Sequence, residues 1–211
     1  MRPFISILFI WLTAAVTTSA QTFTVDTIPD SIFARMQGKS YKEGCTVSRS
    51  ELRYLRLSHI GYDGQEHIGE LVCNKQVAND LKEIFQELYN NRYPVERMLL
   101  VDDYDADDER SMQANNTSCF NYRSIAGSKK LSKHALGLAI DINPLYNPCV
   151  KHRKDGTLIV QPTTARRYAD RSRKQPYAID RTDLCYRLFV SHGFTWGGAW
   201  RTTKDYQHFE R

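Results

Sequence analysis

The 211-residue sequence predicts an α+β fold. Three patterns carry that expectation: two strand-like runs around Asp63-Gly64, a helical spacing of apolar residues after Lys75, and a strict alternation from Leu136 to Ile142. Leu52 to Ile60 and Gly69 to Cys73 are the strand-like runs, and Tyr62-Asp63-Gly64-Gln65 between them is a two-residue hairpin signal. His59 and His67 flank that turn and read as solvent-facing hairpin residues. Val77, Leu81, Ile84, Phe85 and Leu88 follow the helical period, so a helix is expected from about Lys75 to Asn90, with Asn74 to cap it and Asn90-Asn91 to end it. Met98 to Val101, after Pro94, reads as a short buried strand. Asp102 to Arg110 carries six acidic residues but lacks the glycine and terminal glutamate of a calcium loop, and reads as a solvated acidic turn. Leu136, Leu138, Ile140 and Ile142 alternate with Gly137, Ala139 and Asp141, the signature of a strand with one apolar face. Pro144 and Pro148 end it. Arg181 to Ser191 reads as a last helix, stopped by Gly193, with His192 complementing its C-terminal dipole.

Composition sets the compartment and the broad class. With 41% hydrophobic and 25% charged residues, the chain is that of a globular protein with a sizeable core. Residues 1–20 differ: Arg2 precedes the apolar run Phe4 to Leu12, and Thr18-Ser19-Ala20 offers small residues for cleavage before Gln21. That is a secretory leader, too short for a comfortable membrane span, so no stable membrane anchor is expected after cleavage. Loss of Arg2 lowers the formal charge of +5 by one. So mild an excess, with basic residues scattered apart from Arg166 to Lys174, argues against nucleic-acid binding. The five cysteines, an odd count, suggest buried thiols with at most one bridge or so. Gln21 to Lys42 reads as a polar lead-in arm.

The chemistry concentrates in two places. Ser132-Lys133-His134-Ala135-Leu136-Gly137-Leu138-Ala139-Ile140-Asp141 joins a histidine to an aspartate, and Asp205-Tyr206-Gln207-His208 supplies a second histidine with an acid three positions ahead. Two imidazoles and a carboxylate are the donors of an open zinc site, whose fourth position holds water. His134 and Asp141 are an odd number of residues apart, so in one unbroken strand they would face opposite ways. A turn must intervene, and Gly137 is the residue that permits one. The i, i+3 spacing of Asp205 and His208 suggests one side of a helical turn, with His208 on the metal and Asp205 at its water. Arg123 is a candidate donor to a developing oxyanion. A serine-hydrolase reading of Ser132, His134 and Asp141 fails because no Gly-x-Ser-x-Gly elbow surrounds Ser132.

These motifs resemble those of the M15 zinc peptidases, which include VanY-type D-alanyl-D-alanine carboxypeptidases and the L-alanyl-D-glutamate endopeptidases of phage lysins. The likeness runs from Ser132-x-His134-x-x-Gly137-x-Ala139-x-Asp141 to Asp205-x-x-His208, with Asn116 to Arg123 and Gly193 to Trp200 as flanking motifs. It covers roughly Met98 to Arg211 and implies a hedgehog/DD-peptidase-like fold, a small antiparallel sheet holding the ligands with helices on one face. It also implies one Zn²⁺ per chain on His134, Asp141 and His208, Asp205 as general base and Arg123 as oxyanion partner. Ser132 would support His134 or the substrate, and Trp196 and Trp200 would line the cleft. The substrate implied is the stem peptide of peptidoglycan, and the location periplasmic or secreted, in a bacterium. Asp205 stands where the carboxypeptidase branch often has glutamate, which tilts the expectation towards the endopeptidases. Residues 21–97 carry no motif of the family and are expected to form an arm, hairpin and helix packed on a catalytic region spanning 98–211. The alternatives are a catalytically silent wall-binding module on the same fold, which would lack a ligand or the base, and a structural metal site, which would need a fourth ligand such as His152 or a cysteine.

Overall fold

The computed structural model describes residues 21–125 and 127–211, so the expected leader lies outside the described residues. The chain begins with β1 (Phe23–Asp26), α1 (Asp30–Met36), β2 (Leu52–Ile60), β3 (Glu66–Asn74) and α2 (Ala78–Asn90). Strands β1, β2 and β3 form an antiparallel sheet in that order. The expected hairpin is present, with a longer tip. Gly61 N–H donates to Gln65 O at 2.9 Å, leaving Tyr62, Asp63 and Gly64 as the loop. Gly64 takes φ +73°, so the Asp-Gly pair closes a three-residue loop through a left-handed glycine.

Period two divides the long strand β2 between two clusters. Leu55 and Leu57 pack with Leu81, Ile84, Phe85 and Leu88 of α2, while Leu52 and Tyr54 pack with Ile32 and Met36 of α1. Helix α2 starts at Ala78, later than expected, because Asn74 Oδ1 accepts from Gln76 N–H and turns the chain first. His59 is buried, not solvent-facing: its Nδ1 lies 2.8 Å from the Val95 carbonyl, and burial lowers its pKa. His67 is exposed and pairs with Asp63 at 3.0 Å.

The next stretch departs from both expectations for it. Met98, Leu100 and Val101 are buried as expected, yet they form no ladder strand, and Val101–Tyr104 is a 3₁₀ turn. Met98 instead sits against Gly69, where a Cβ would lie 2.5 Å from it, and accepts from Glu70 N–H. The acidic run is solvated only in part: Asp103, Asp105 and Asp107 are exposed, as expected, but Asp102 is not. Asp102 is buried and accepts from Ser40 N–H and Oγ–H, Asp103 pairs with Arg35, and Asp105 pairs with Lys39 and Arg110.

The rest of the chain contributes α3 (Asp108–Gln113), β4 (Ala139–Asp141), β5 (Cys149–His152), β6 (Leu158–Gln161), α4 (Leu184–Ser191), β7 (Thr195–Trp196), β8 (Thr203–Asp205) and β9 (His208–Glu210). These strands make two further antiparallel sheets, β4-β9-β7 and β6-β5-β8. The fold is therefore α+β with antiparallel pairing, but the expected single small sheet is divided into three. Helix α4 is capped by the Asp183 side chain, accepting from Cys185 N–H, and ends before Gly193 at φ +81°. His192 bonds Asp80 at 3.1 Å in a structural role.

One buried cluster joins the two halves of the chain. It holds Leu55, Leu71 and the inner face of α2 together with Ile140, Phe189, Trp196 and Phe209, and Phe189 stacks on Phe209 with centroids 4.4 Å apart. The strands that carry the candidate ligands are thus braced by the hairpin and helix that lack any motif. All five cysteines are free thiols, three of them fully buried, so no bridge forms. Among the described residues, no helix is long and apolar enough to cross a membrane.

Candidate metal centre

His134, Asp141 and His208 come together by three local devices. Asp141 and His208 are directly opposite one another in the β4–β9 ladder, which places their side chains on one face. His134 opens a 3₁₀ turn, His134–Leu136, ahead of β4. Gly137 closes that turn at φ +67°, the bend that the odd spacing requires. The strand expected from Leu136 therefore begins only at Ala139. Ser132 Oγ accepts from His134 N–H at 3.2 Å and steadies the start of the turn.

Gly137 is held from outside as well. A Cβ there would stand 2.6 Å from Asn74 N, whose N–H donates to Gly137 O at 2.8 Å. Gly137→Ala therefore combines a left-handed backbone with a contact to main chain that cannot swing away. A loss of about 3 kcal/mol is expected in chemical denaturation, together with weakened metal binding.

The donor atoms converge closely. His134 Nε2 lies 3.2 Å from His208 Nδ1 and 3.3 Å from Asp141 Oδ1, and His208 Nδ1 lies 3.0 Å from the same oxygen. The far nitrogen of each ring has an acceptor that suits the tautomer a metal ligand needs. His134 Nδ1–H donates to the Cys119 carbonyl at 2.7 Å, and His208 Nε2–H donates to Glu210 at 3.1 Å. In neutral rings, His134 Nε2 and His208 Nδ1 then present lone pairs to each other and to a carboxylate oxygen. Three acceptors at this separation repel unless a cation lies among them. Donors 2.0–2.1 Å from a tetrahedral zinc are about 3.3 Å apart, so the chemistry and spacing of the set fit that ion.

The electrostatics carry the same message. Burial works against ionisation of Asp141, yet His134 and His208 hold its carboxyl well below the usual carboxylate range. Burial likewise opposes charge on His208, but the carboxylates of Asp141 and Glu210 push its pKa up to about 10. A proton on His208 then supplies the positive charge. Among the described residues no fourth histidine, cysteine or carboxylate joins the group, and His152 is exposed on β5. The cluster is an open three-donor site.

Asp205 reaches this centre by a different route from the expected helical turn. Tyr206 and Gln207 link β8 to β9, which belong to different sheets, so Asp205 and His208 sit either side of a strand–turn–strand corner. Gly197 makes the corner possible. A Cβ there would come 2.8 Å from Asp205 Cβ, 2.7 Å from Asp205 O and 3.3 Å from His208 Cβ. Gly197→Ala should therefore shift both residues, with kcat falling about 100-fold in a peptidase assay and a stability loss of about 1–3 kcal/mol in chemical denaturation. Asp205 Oδ1 is buried without a hydrogen-bond partner. Burial pushes the carboxyl up to about 6, with Asp141 adding to the effect and His208 opposing it.

The remaining candidates divide. Arg123 forms an ion pair with Asp108 at the start of α3, and Asp108 also accepts from Asn121. Its backbone carbonyl accepts from Ser132 N–H, which ties the arginine's segment to the turn that carries His134. Trp196 is a core residue whose indole N–H donates to Tyr206 O, and its ring is what leaves no room for a Cβ at Gly198. Trp200 is 36% exposed, with its ring 5.3 Å from that of His208. Glu210 is a further functional residue: it lies two positions after His208 on β9, hence on the same face, a signal that His208-Phe209-Glu210 carries.

One family comparison finds a likeness over part of the chain. Residues 126–211 match the model of an M15 peptidase family described as D-alanyl-D-alanine carboxypeptidase. That segment contains His134, Asp141, Asp205 and His208, and Arg123 precedes it. No curated protein and no solved structure matches the chain. Residues 126–211 are thus similar to the M15 peptidase family that the motifs resemble.

Proposed function

We propose that this protein is an exported zinc peptidase that hydrolyses peptide bonds in the stem peptides of peptidoglycan. The observation that carries the reading is the convergence of two imidazole nitrogens and a carboxylate, with the carboxyl of Asp205 buried and its Oδ1 unpartnered. The match to M15 peptidases supports the substrate class, and the leader-like residues 1–20 support export.

His134, Asp141 and His208 would hold the ion. The chemistry a bound zinc supplies there is Lewis acidity, which polarises the scissile carbonyl and makes water acidic enough to attack near neutral pH. Asp205 accepts the proton of the attacking water at Oδ1 and passes it to the leaving amine as the C–N bond breaks. Arg123 donates to the carbonyl oxygen as it gains charge, with its guanidinium steadied by Asp108. Glu210 keeps the His208 ring turned so that Nδ1 faces the ion, and the Cys119 carbonyl does the same for His134 Nε2. Trp200, exposed beside His208, offers an apolar wall for the peptide.

The raised pKa of His208 has a measurable consequence. Its ordinary value is 6.5 and its value here about 10, so the stability it contributes to metal-free protein is full below about pH 6.5 and fades as pH rises towards 10. Metal must displace that proton. Zinc titration of metal-free protein at pH 7 should release about one proton, read by calorimetry in buffers of different ionisation enthalpy. Uptake without proton release would remove His208 Nδ1 from the ligand set. The bond cut is identified by mass spectrometry of a muropeptide digest. The aspartate at 205 favours a cut inside the stem, and loss of terminal D-alanine alone would make the protein a carboxypeptidase instead.

A further inference from the structure

Asp205 lies opposite Cys149 in the β5–β8 ladder. Directly opposed residues in an antiparallel pair project to the same face with Cβ atoms about 4.5–5.5 Å apart. The Cys149 thiol and the Asp205 carboxyl are therefore neighbours across that pair, close enough for the carboxylate to act on the thiol. Neither residue is on the open surface, and Asp205 Oδ1 is buried with no hydrogen-bond partner of its own. Burial pushes the thiol pKa well up and the adjacent carboxylate pushes it further, so the sulfur keeps its proton and remains a donor.

We infer that Cys149 is a positioning residue for the general base, its S–H holding the Asp205 carboxylate so that Oδ1 is presented to the attacking water. This inference rests on the reading of Asp205 as the base. A carboxylate on a short side chain at a strand end has rotamer freedom, and a base that swings out of line loses rate without losing substrate affinity. The backbone corner made by Gly197 fixes where Asp205 Cβ sits, while Cys149 fixes which way its oxygens turn. Pro148 contributes at the same place, since its carbonyl accepts from Tyr206 N–H and ties the start of β5 to the residue after the base. The remaining thiols of the chain do not share this role: Cys73, Cys119 and Cys185 are buried in the main core, and Cys45 packs at the edge of the cluster around α1.

The test compares Cys149→Ser, which keeps a donor, with Cys149→Ala and Cys149→Val, which do not, in the zinc-loaded enzyme acting on purified muropeptides. Expected are a kcat about 10-fold lower in the two donor-less variants at unchanged KM and zinc content, and near wild-type kcat in Cys149→Ser. Valine fills the thiol's space and keeps the comparison valid if alanine unfolds the strand. A second readout uses metal-free protein. The S–H stretching band of Cys149, isolated as the difference between wild type and Cys149→Ala, should move to higher frequency in Asp205→Asn. Wild-type kcat in Cys149→Ala or Cys149→Val, a loss in Cys149→Ser equal to theirs, or an unmoved band would each overturn the inference. If Asp205→Asn keeps full activity, the reading of Asp205 as base fails and this inference falls with it. If Asp205→Asn is inactive while Cys149→Val is not, only the role of Cys149 is refuted.

Discussion

Asp205→Asn is expected to lower kcat on muropeptides by about 10²–10⁴-fold, the range that general-base catalysis contributes, while one zinc per chain is retained. The amide is nearly the same size as the carboxylate and can still accept a hydrogen bond from Cys149, so the corner between β8 and β9 keeps its shape. It cannot take a proton from water. The same substitution should not destabilise the metal-free protein. Burial pushes Asp205 up to about 6, and an acid whose folded pKa is raised above its ordinary 3.8 is destabilising once ionised. At pH 7 asparagine removes that cost, so the melting temperature of metal-free Asp205→Asn should equal or exceed the wild-type value. Retained activity would show that another group takes the proton. A lower melting temperature would mean that the carboxylate is stabilised by a partner other than Cys149.

His134→Ala should abolish both metal binding and catalysis. The three donors are 3.0–3.3 Å apart, and removing one leaves a carboxylate and a single imidazole, too few to retain zinc against a chelator. The loss in affinity should exceed that of Glu210→Gln, which keeps the ligands and disturbs only the orientation of His208; outer partners of this kind are worth about 10–100-fold. Elemental analysis after dialysis against a weak chelator measures both. Stoichiometric zinc in His134→Ala would exclude that residue from the site. Its fold should survive, because the turn it opens is held by Gly137, Ser132 and the backbone bond from Asn74.

The ligand residues were legible in the sequence because zinc sites accept few residue types, and His134, Asp141 and His208 are among them. The bend at Gly137 was legible too, since side-chain parity along a strand is a local rule. What escaped was set by pairing between distant segments. The i, i+3 spacing of Asp205 and His208 is compatible with a helical turn, and only the assignment of β8 and β9 to different sheets makes it a corner. Cys149 meets Asp205 through a ladder that no local spacing encodes. The acidic run 102–110 illustrates the opposite error. Read alone it is a charged loop, but Lys39, Ser40 and Arg35 from the arm ahead of the hairpin engage its carboxylates. The hairpin and α2 were readable from their periods, whereas their share in one core with Phe189 and Phe209 was not.

The proposed function requires a metal held by His134, Asp141 and His208 to drive cleavage of a wall peptide. Its most direct test is muropeptide hydrolysis by the purified mature chain, measured by mass spectrometry as isolated, after chelation, and after return of one equivalent of Zn²⁺. The expected result is cleavage that disappears on chelation and returns in full with the single equivalent. Cleavage that persists in protein shown by elemental analysis to be metal-free, or none in protein carrying one zinc, would contradict it.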